Sequence, residues 1–341
     1  MRIGLITGGG DCPGLNAAIR AVVKHAENSY GHSVVGFRHG WKGLAEGAAQ
    51  PMSRNDVRNV LPLGGTLLGT ARYHPDWDGA GMAAVAASIE EEKISALICI
   101  GGDGSLSAAA RVAAETGINV VGIPKTIDND VVMTDSTIGF DTAVNIATEA
   151  VDRLHTTAES HNRVMVLEVM GRSAGWLAVM AGIAGGAEIV LAPEAPFDMD
   201  RVERFLKHRH RARKSFSIVV VAEGAHPAKG TLDYEVAYGK HGELIAGSVG
   251  SVVAREIEQR TGFETRLTVL GHVQRGGSPL PTDRILGSRF GVAAVDAIQQ
   301  GRSNVMTAKR GMDIELVDLA EVEGKVKHVP EDLLRTANAL A

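Results

Sequence analysis

Cysteine is nearly absent. Cys12 and Cys99 are the only two in 341 residues, which excludes a disulfide-stapled fold. Neither has a His or Cys partner at metal-ligand spacing. Both read as unreactive, with Cys99 buried in a strand. Aromatic residues are scarce at 4%, and Trp41, Trp77 and Trp176 read as packing residues, Trp41 also as a candidate border to a nucleotide base. No apolar run reaches about 18 residues, so no membrane span is expected. Positive charge is not in excess: the net charge is −5, which argues against nucleic acid as an electrostatic partner. No proline-rich linker, short repeat or low-complexity segment breaks the chain. The N-terminus, Met1–Thr7, starts at once as a strand and not as a signal peptide. Together these absences point to a cytoplasmic protein.

Glycine, by contrast, is plentiful, with 41 residues. Hydrophobic residues are 45% and charged residues 22%, ordinary for a globular chain. The length suffices for two lobes. Short apolar runs predict strands at Ile3–Thr7, Ser33–Phe37, Ala96–Ile100, Asn119–Ile123, Val164–Val169, Ile189–Leu191, Ser217–Ala222 and Thr265–Leu270. Helical stretches alternate with them: Leu15–Asn28, Met82–Glu92, Leu106–Thr116, Thr142–Thr157, Ala174–Ala184, Arg201–Ala212, Ser248–Gln259 and Thr282–Gln299. The strands are continuously apolar, as strands buried on both faces are. The expected fold is therefore α/β: two lobes, each a mainly parallel sheet flanked by helices, with the active site in the cleft between them. Lobe boundaries are expected near 140 and near 255.

The glycine-rich turns fall where strands end. Gly101-Gly102-Asp103-Gly104-Ser105 follows an apolar strand and precedes a helix. Its glycines allow backbone approach to an anion, and the helix N-terminus favours one. Asp103 adds a carboxylate that can hold Mg²⁺. Gly8–Asn16 is a second such cradle, although a tight turn alone would also need those glycines. Pro124–Asp130 carries Asp128 and Asp130, a candidate base with a metal-linked neighbour; Asp-Asn-Asp is equally good turn material. Met170–Gly175 places Arg172 at a strand end, where it could offset charge on a transferring phosphoryl group. Gly271–Pro279 brings His272 and Arg275 together, with Arg266 six residues before the histidine, a set suited to a phosphomonoester. Arg201–Lys214 is strongly basic: a solvated helix face, or an anionic effector site.

Taken in order, these motifs resemble the 6-phosphofructokinase family of bacterial type, from Met1 to about Gly301, including Gly69–Arg72 (Gly-Thr-Ala-Arg). The resemblance implies that Asp128 is the base for the 1-hydroxyl of fructose 6-phosphate. It implies that Asp103 holds Mg²⁺ with Asp130 nearby, and that Arg172 and Thr126 support the transferring phosphoryl group. Gly10, Arg72, Tyr73, Gly102, Asp103, Gly104 and Ser105 would meet the donor. Met170, Gly171 and Glu223 would orient the sugar; His272, Arg275, Arg163 and Arg266 would bind its 6-phosphate. In this family the last two arginines come from a neighbouring subunit, which implies a homotetramer. The donor-binding lobe is expected at 1–140 plus about 255–305, the sugar-phosphate lobe at 141–254 plus about 306–341.

Gly104 implies ATP, since a side chain there would fill the α-phosphate region. Lys125 is common in pyrophosphate-dependent members, so pyrophosphate is the alternative, with Lys125 expected to swing away if ATP binds. Arg20, Lys24, Arg54, Arg211, Arg213 and Lys214 match the family's effector-site cations, and His155 stands where many members carry Arg. A phosphorylated effector is implied, phosphoenolpyruvate or a nucleoside diphosphate. An NAD-kinase-like enzyme or a non-catalytic nucleotide-binding module would account for the glycine loops alone. Neither needs Asp128, Arg172 and the phosphomonoester set together.

Overall fold

The computed structural model describes residues 1–76, 80–212, 215–232, 237–238, 244–246 and 248–340, with backbone alone at 237–238 and 244–246. Trp77, Arg213 and Lys214 lie outside these residues. The strands are β1 (Arg2–Thr7), β2 (Ser33–Phe37), β3 (Ala49–Met52), β4 (Ala96–Gly101), β5 (Asn119–Pro124), β6 (Val164–Val169), β7 (Ile189–Leu191), β8 (Ser217–Ala222), β9 (Ala237–Tyr238), β10 (Leu244–Ala246), β11 (Thr265–Val269), β12 (Val305–Arg310) and β13 (Asp313–Asp318). The α-helices are α1 (Leu15–Tyr30), α2 (Trp41–Ala45), α3 (Gly81–Glu91), α4 (Asp103–Thr116), α5 (Phe140–His161), α6 (Trp176–Gly185), α7 (Met199–Arg211), α8 (Val249–Thr261), α9 (Pro281–Gln299) and α10 (Glu331–Ala339). Among the described residues no helix is long and apolar enough to cross a membrane.

The chain divides into two compact units, Met1–Thr142 with Arg275–Val326, and Ala143–Gln274 with Lys327–Ala341. The first holds a seven-stranded sheet, ordered β13-β12-β5-β4-β1-β2-β3. Its interior is parallel, and the edge strands β3 and β13 run antiparallel to their neighbours. The second holds a four-stranded parallel sheet, β11-β6-β8-β7. A mainly parallel α/β architecture is thus what the apolar runs specify. β1, β4, β5, β6 and β8 are buried almost throughout.

The return crossings differ from those expected from the sequence. The chain comes back at 275 and not near 255, because β11 pairs with β6 and α8 packs beside it. It leaves again at 326 and not near 306, because β12 adds to β5 and carries β13 with it. The β12–β13 hairpin escaped the apolar pattern because β13 is a partly exposed edge strand in which charged residues interrupt the apolar ones.

The core of the first unit fixes the helix that matters most to the site. Leu106 on α4 is fully buried among Leu97, Cys99, Val120, Met306 and Leu319. Gly122 on β5 lets α4 approach closely: a Cβ there would lie 2.8 Å from Leu106 Cδ2. Truncating such a side chain costs about 2–5 kcal/mol, so α4 is held firmly against the sheet. Trp41 is 2% exposed within the same core, so it packs and does not border a base. Trp176 donates through Nε1 to the carbonyl of Lys327 at 2.8 Å.

Candidate active site

In the first unit, the β1 and β4 loops close on one side chain. Ideal Cβ atoms at Gly8 and Gly101 would each stand 2.4 Å from Ser105, the first from its Oγ and the second from its Cβ. Ser105 is 8% exposed. It wedges the two loops, and what it can offer a donor is its backbone N–H. The helix begins earlier than its apolar pattern suggested: Gly102 is the N-cap, and Asp103 opens the first turn. Asp103, Gly104 and Ser105 therefore present N–H groups that have no intrahelical acceptor. At Gly104 a Cβ would meet nothing within 4 Å. His74 Nε2 lies 3.1 Å from the Gly104 carbonyl, and Thr70 donates to the Gly9 carbonyl at 2.6 Å. Arg72 is exposed beside them in sequence, while Tyr73 packs partly on the core.

Lys125 points inward from the loop after β5. It is 2% exposed, and its Nζ donates to the Gly10 carbonyl. Burial pushes its pKa down, and the neighbouring Arg275 guanidinium pushes it the same way. Arg275 itself donates to the Asp11 carbonyl at 3.3 Å, with its guanidinium against Gly10. The thiols of Cys12 and Cys99 are buried and pushed up to about 12. They are inert, as the sequence indicated.

The β5 loop carries the carboxylates. Thr126 Oγ1 accepts from the Asp128 backbone N–H at 3.1 Å, and the Thr126 carbonyl accepts from Thr137 at 2.6 Å. Asn129 takes a left-handed backbone, φ 50°, which turns the chain between the two aspartates. Asp130 is pushed up to about 6 by burial, and further by the charges of Asp128 and Asp103. Its Oδ1 is buried without a hydrogen-bond partner. A bound cation would relieve both conditions. Among the described residues no three His, Cys, Asp or Glu side chains could cage a metal.

In the second unit, the segment after β6 is pinned from several sides. Gly171 adopts φ 123°, and its carbonyl accepts from the Gly224 N–H at 3.1 Å. A Cβ at Gly224 would stand 1.9 Å from the Arg172 carbonyl oxygen. The Glu223 N–H donates to the Val169 carbonyl at 2.9 Å, so Glu223 lies at the end of β8 beside Met170. Arg172 and His272 are exposed. Gln274 was missed in the sequence. It is fully buried, accepts from the Met170 N–H at 2.7 Å, and leaves its own Nε2 buried without a partner. An unsatisfied buried donor costs about 1–3 kcal/mol. Arg163 and Arg266, 103 residues apart in the chain, come together because β6 and β11 are neighbours. Both bind Glu264, Arg163 at 2.7 Å. The two cations hold the Glu264 carboxyl below its usual range.

The cations matched to an effector site divide between the units. Lys24, Arg54 and Arg58 line a cavity of about 420 Å³ in the first, with Arg54 held by Glu27 at 2.9 Å. Arg20 lies one turn before Lys24 on α1. Arg211 is exposed at the C-terminal end of α7 in the second unit. His155 turns to the Gly185 carbonyl at 2.8 Å.

Two glycine-rich turns at strand ends, two aspartates on the loop after β5 and two arginines brought together by β6 and β11 stand on a mainly parallel α/β fold. The chain belongs to the phosphofructokinase family, whose profile matches residues 2–298. A Mycobacterium tuberculosis H37Rv protein named ATP-dependent 6-phosphofructokinase is 51% identical over 334 residues, 97% of either chain. An Amycolatopsis methanolica protein named pyrophosphate–fructose 6-phosphate 1-phosphotransferase is 49% identical over 333 residues, again 97% of either chain. The solved phosphofructokinase of Saccharomyces cerevisiae superposes with a TM-score of 0.83 at 33% identity, over 94% of this chain and 45% of that one.

Proposed function

We propose that the chain is a cytoplasmic 6-phosphofructokinase of glycolysis. It moves the γ-phosphoryl group of ATP to the 1-hydroxyl of D-fructose 6-phosphate, giving fructose 1,6-bisphosphate and ADP. The observation that carries this reading is the pair of aspartates on the loop after β5, Asp128 and Asp130, each with a buried Oδ1, in a chain that the phosphofructokinase family matches over residues 2–298. Such a pair supplies a base with a metal-linked neighbour.

Asp128 takes the proton from the 1-hydroxyl as that oxygen bonds to the γ-phosphorus. The bond from phosphorus to the β-γ bridging oxygen breaks, and ADP leaves with its electron pair. Thr126 holds the Asp128 backbone N–H. The N–H groups at the start of α4, with Gly10 and Arg72, receive the donor phosphates. Arg172 offsets charge on the transferring group. Met170, Gly171 and Glu223 orient the sugar, and His272, Arg275, Arg163 and Arg266 anchor its 6-phosphate. Mg²⁺, held by Asp103 with Asp130 nearby, would neutralise charge on the donor. The functional assembly in this reading is a homotetramer, with Arg163 and Arg266 serving a neighbouring protomer. The cavity at Lys24, Arg54 and Arg58 would take a phosphorylated effector.

Pyrophosphate is the second reading, favoured by the presence of a lysine at position 125 and by the Amycolatopsis relative. Steady-state assays with fructose 6-phosphate and each donor separate the two. Turnover with ATP and not with pyrophosphate is expected; the reverse would replace this reading with the second. Asp128→Asn should lower kcat by about 10²–10⁴ and leave sugar-phosphate binding intact.

A further inference from the structure

Gln274 stands between two sugar-phosphate residues, His272 and Arg275, yet it reaches neither solvent nor any proposed ligand. It is fully buried, and its Oε1 accepts from the backbone N–H of Met170 at 2.7 Å. Met170 opens the segment that carries Gly171 and Arg172. Backbone contacts also hold that segment: the Gly224 N–H on the Gly171 carbonyl and the close pass of Gly224 against Arg172. Gln274 ties the same segment, by a side chain, to the 3₁₀ turn Gly271–Arg275 that presents His272. Leu270, the residue before that turn, is tied to β6 by its N–H on the Glu168 carbonyl at 3.0 Å. The orientation of the amide is set by chemistry: only its oxygen can accept from an N–H. Its Nε2 is then left buried with no acceptor. A methionine or leucine would fill the same space without stranding a donor, so packing alone does not call for glutamine.

Resting on the acceptor assigned above, we propose that Gln274 is a positioning residue for the sugar phosphate, fixing Met170–Arg172 relative to His272 so that both contact one substrate molecule. It touches no reacting atom. Its effect is on sugar binding.

The test is steady-state kinetics of Gln274→Met and Gln274→Glu in the full chain, beside thermal unfolding. Gln274→Met keeps the volume and removes the acceptor. It should raise KM for fructose 6-phosphate about tenfold or more, with donor KM within about twofold and a smaller loss in kcat. Gln274→Glu keeps an acceptor at the same reach. Assayed at about pH 6, where a buried carboxyl stays neutral, it should recover most of the wild-type sugar KM. A sugar KM within about twofold of wild type in Gln274→Met would overturn the proposal, as would a parallel rise in both KM values or a Gln274→Glu variant no better than Gln274→Met. If Gln274→Met does not fold, Gln274→Glu against wild type is read alone: its retained sugar KM supports the proposal. Failure of both to fold overturns it, since Gln274 would then be a core residue. If wild-type protein does not phosphorylate fructose 6-phosphate, the acceptor assignment falls and not the role of Gln274, which isothermal titration of the true sugar phosphate would still read.

Discussion

Lys125 and Gly10 are joined by a bond from the lysine ammonium to the glycine carbonyl, and that bond removes a cation from the surface of the donor loop. To serve a pyrophosphate directly, the ammonium would have to leave this acceptor. The empty side of the loop is elsewhere, at Gly104, where a Cβ would meet nothing within 4 Å. The room for a larger donor therefore lies over the first turn of α4.

Gly104→Asp should consequently fold as the wild type does. The position is in a helical first turn, where a carboxylate is mildly favourable, and no protein atom is displaced. What changes is the space and charge beside Asp103. We expect kcat/KM for ATP to fall by about 10²-fold or more, with KM for fructose 6-phosphate within about threefold. Equal losses for donor and sugar would argue that the loop does not discriminate donors.

Arg163, Arg266 and Glu264 yield a second prediction. Within one chain both guanidinium groups are spent on a half-exposed carboxylate. Exposed pairs add at most about 1 kcal/mol to stability, so Glu264→Gln should leave the unfolding midpoint almost unchanged. Arg163→Ala and Arg266→Ala should each raise KM for fructose 6-phosphate about tenfold or more and leave donor KM unaltered. A large loss of stability with unchanged sugar KM would make the arginines structural.

The parts of the site that depend on local sequence were readable from it. Each glycine loop follows a continuous apolar strand, so strand burial and loop placement come from the same short window. Asp103, Asp128 and Arg172 stand at strand ends for that reason. What could not be read depends on distant partners. Gln274 finds Met170 across 104 residues. Glu264 draws in Arg163 only because β11 lies beside β6. The burial of Lys125 depends on the Gly10 carbonyl of the β1 loop, 115 residues away in the chain. Asp283 falls in a stretch that reads as plain helix, although it is 1% exposed and clamps another helix from 141 residues away.

That clamp supports the last prediction. Asp283 accepts from the Gly139 N–H at 2.8 Å through Oδ1, and from the Thr142 N–H at 2.9 Å and the Thr142 hydroxyl at 2.5 Å through Oδ2. These donors belong to the N-terminal end of α5. Burial nevertheless outweighs them and pushes the carboxyl up to about 6 from an ordinary 3.8. The unfolded chain releases this proton near 3.8, while the folded chain holds it to about 6. Between those values the folded state binds more protons, so raising the pH through that window costs stability. The difference amounts to about 3 kcal/mol, fully expressed above about pH 6. Asp283→Asn cannot titrate. It keeps one acceptor where two are used, so it should be less stable by about 1–3 kcal/mol at low pH. Its loss of stability between about pH 4 and pH 7 should, however, be smaller than that of the wild type by about 2 kcal/mol. Urea unfolding of both proteins at the two pH values measures this. Other titrating groups contribute alike to both proteins and cancel, so identical pH dependence in the pair would show that Asp283 is ionised across the whole range and that its three donors outweigh its burial.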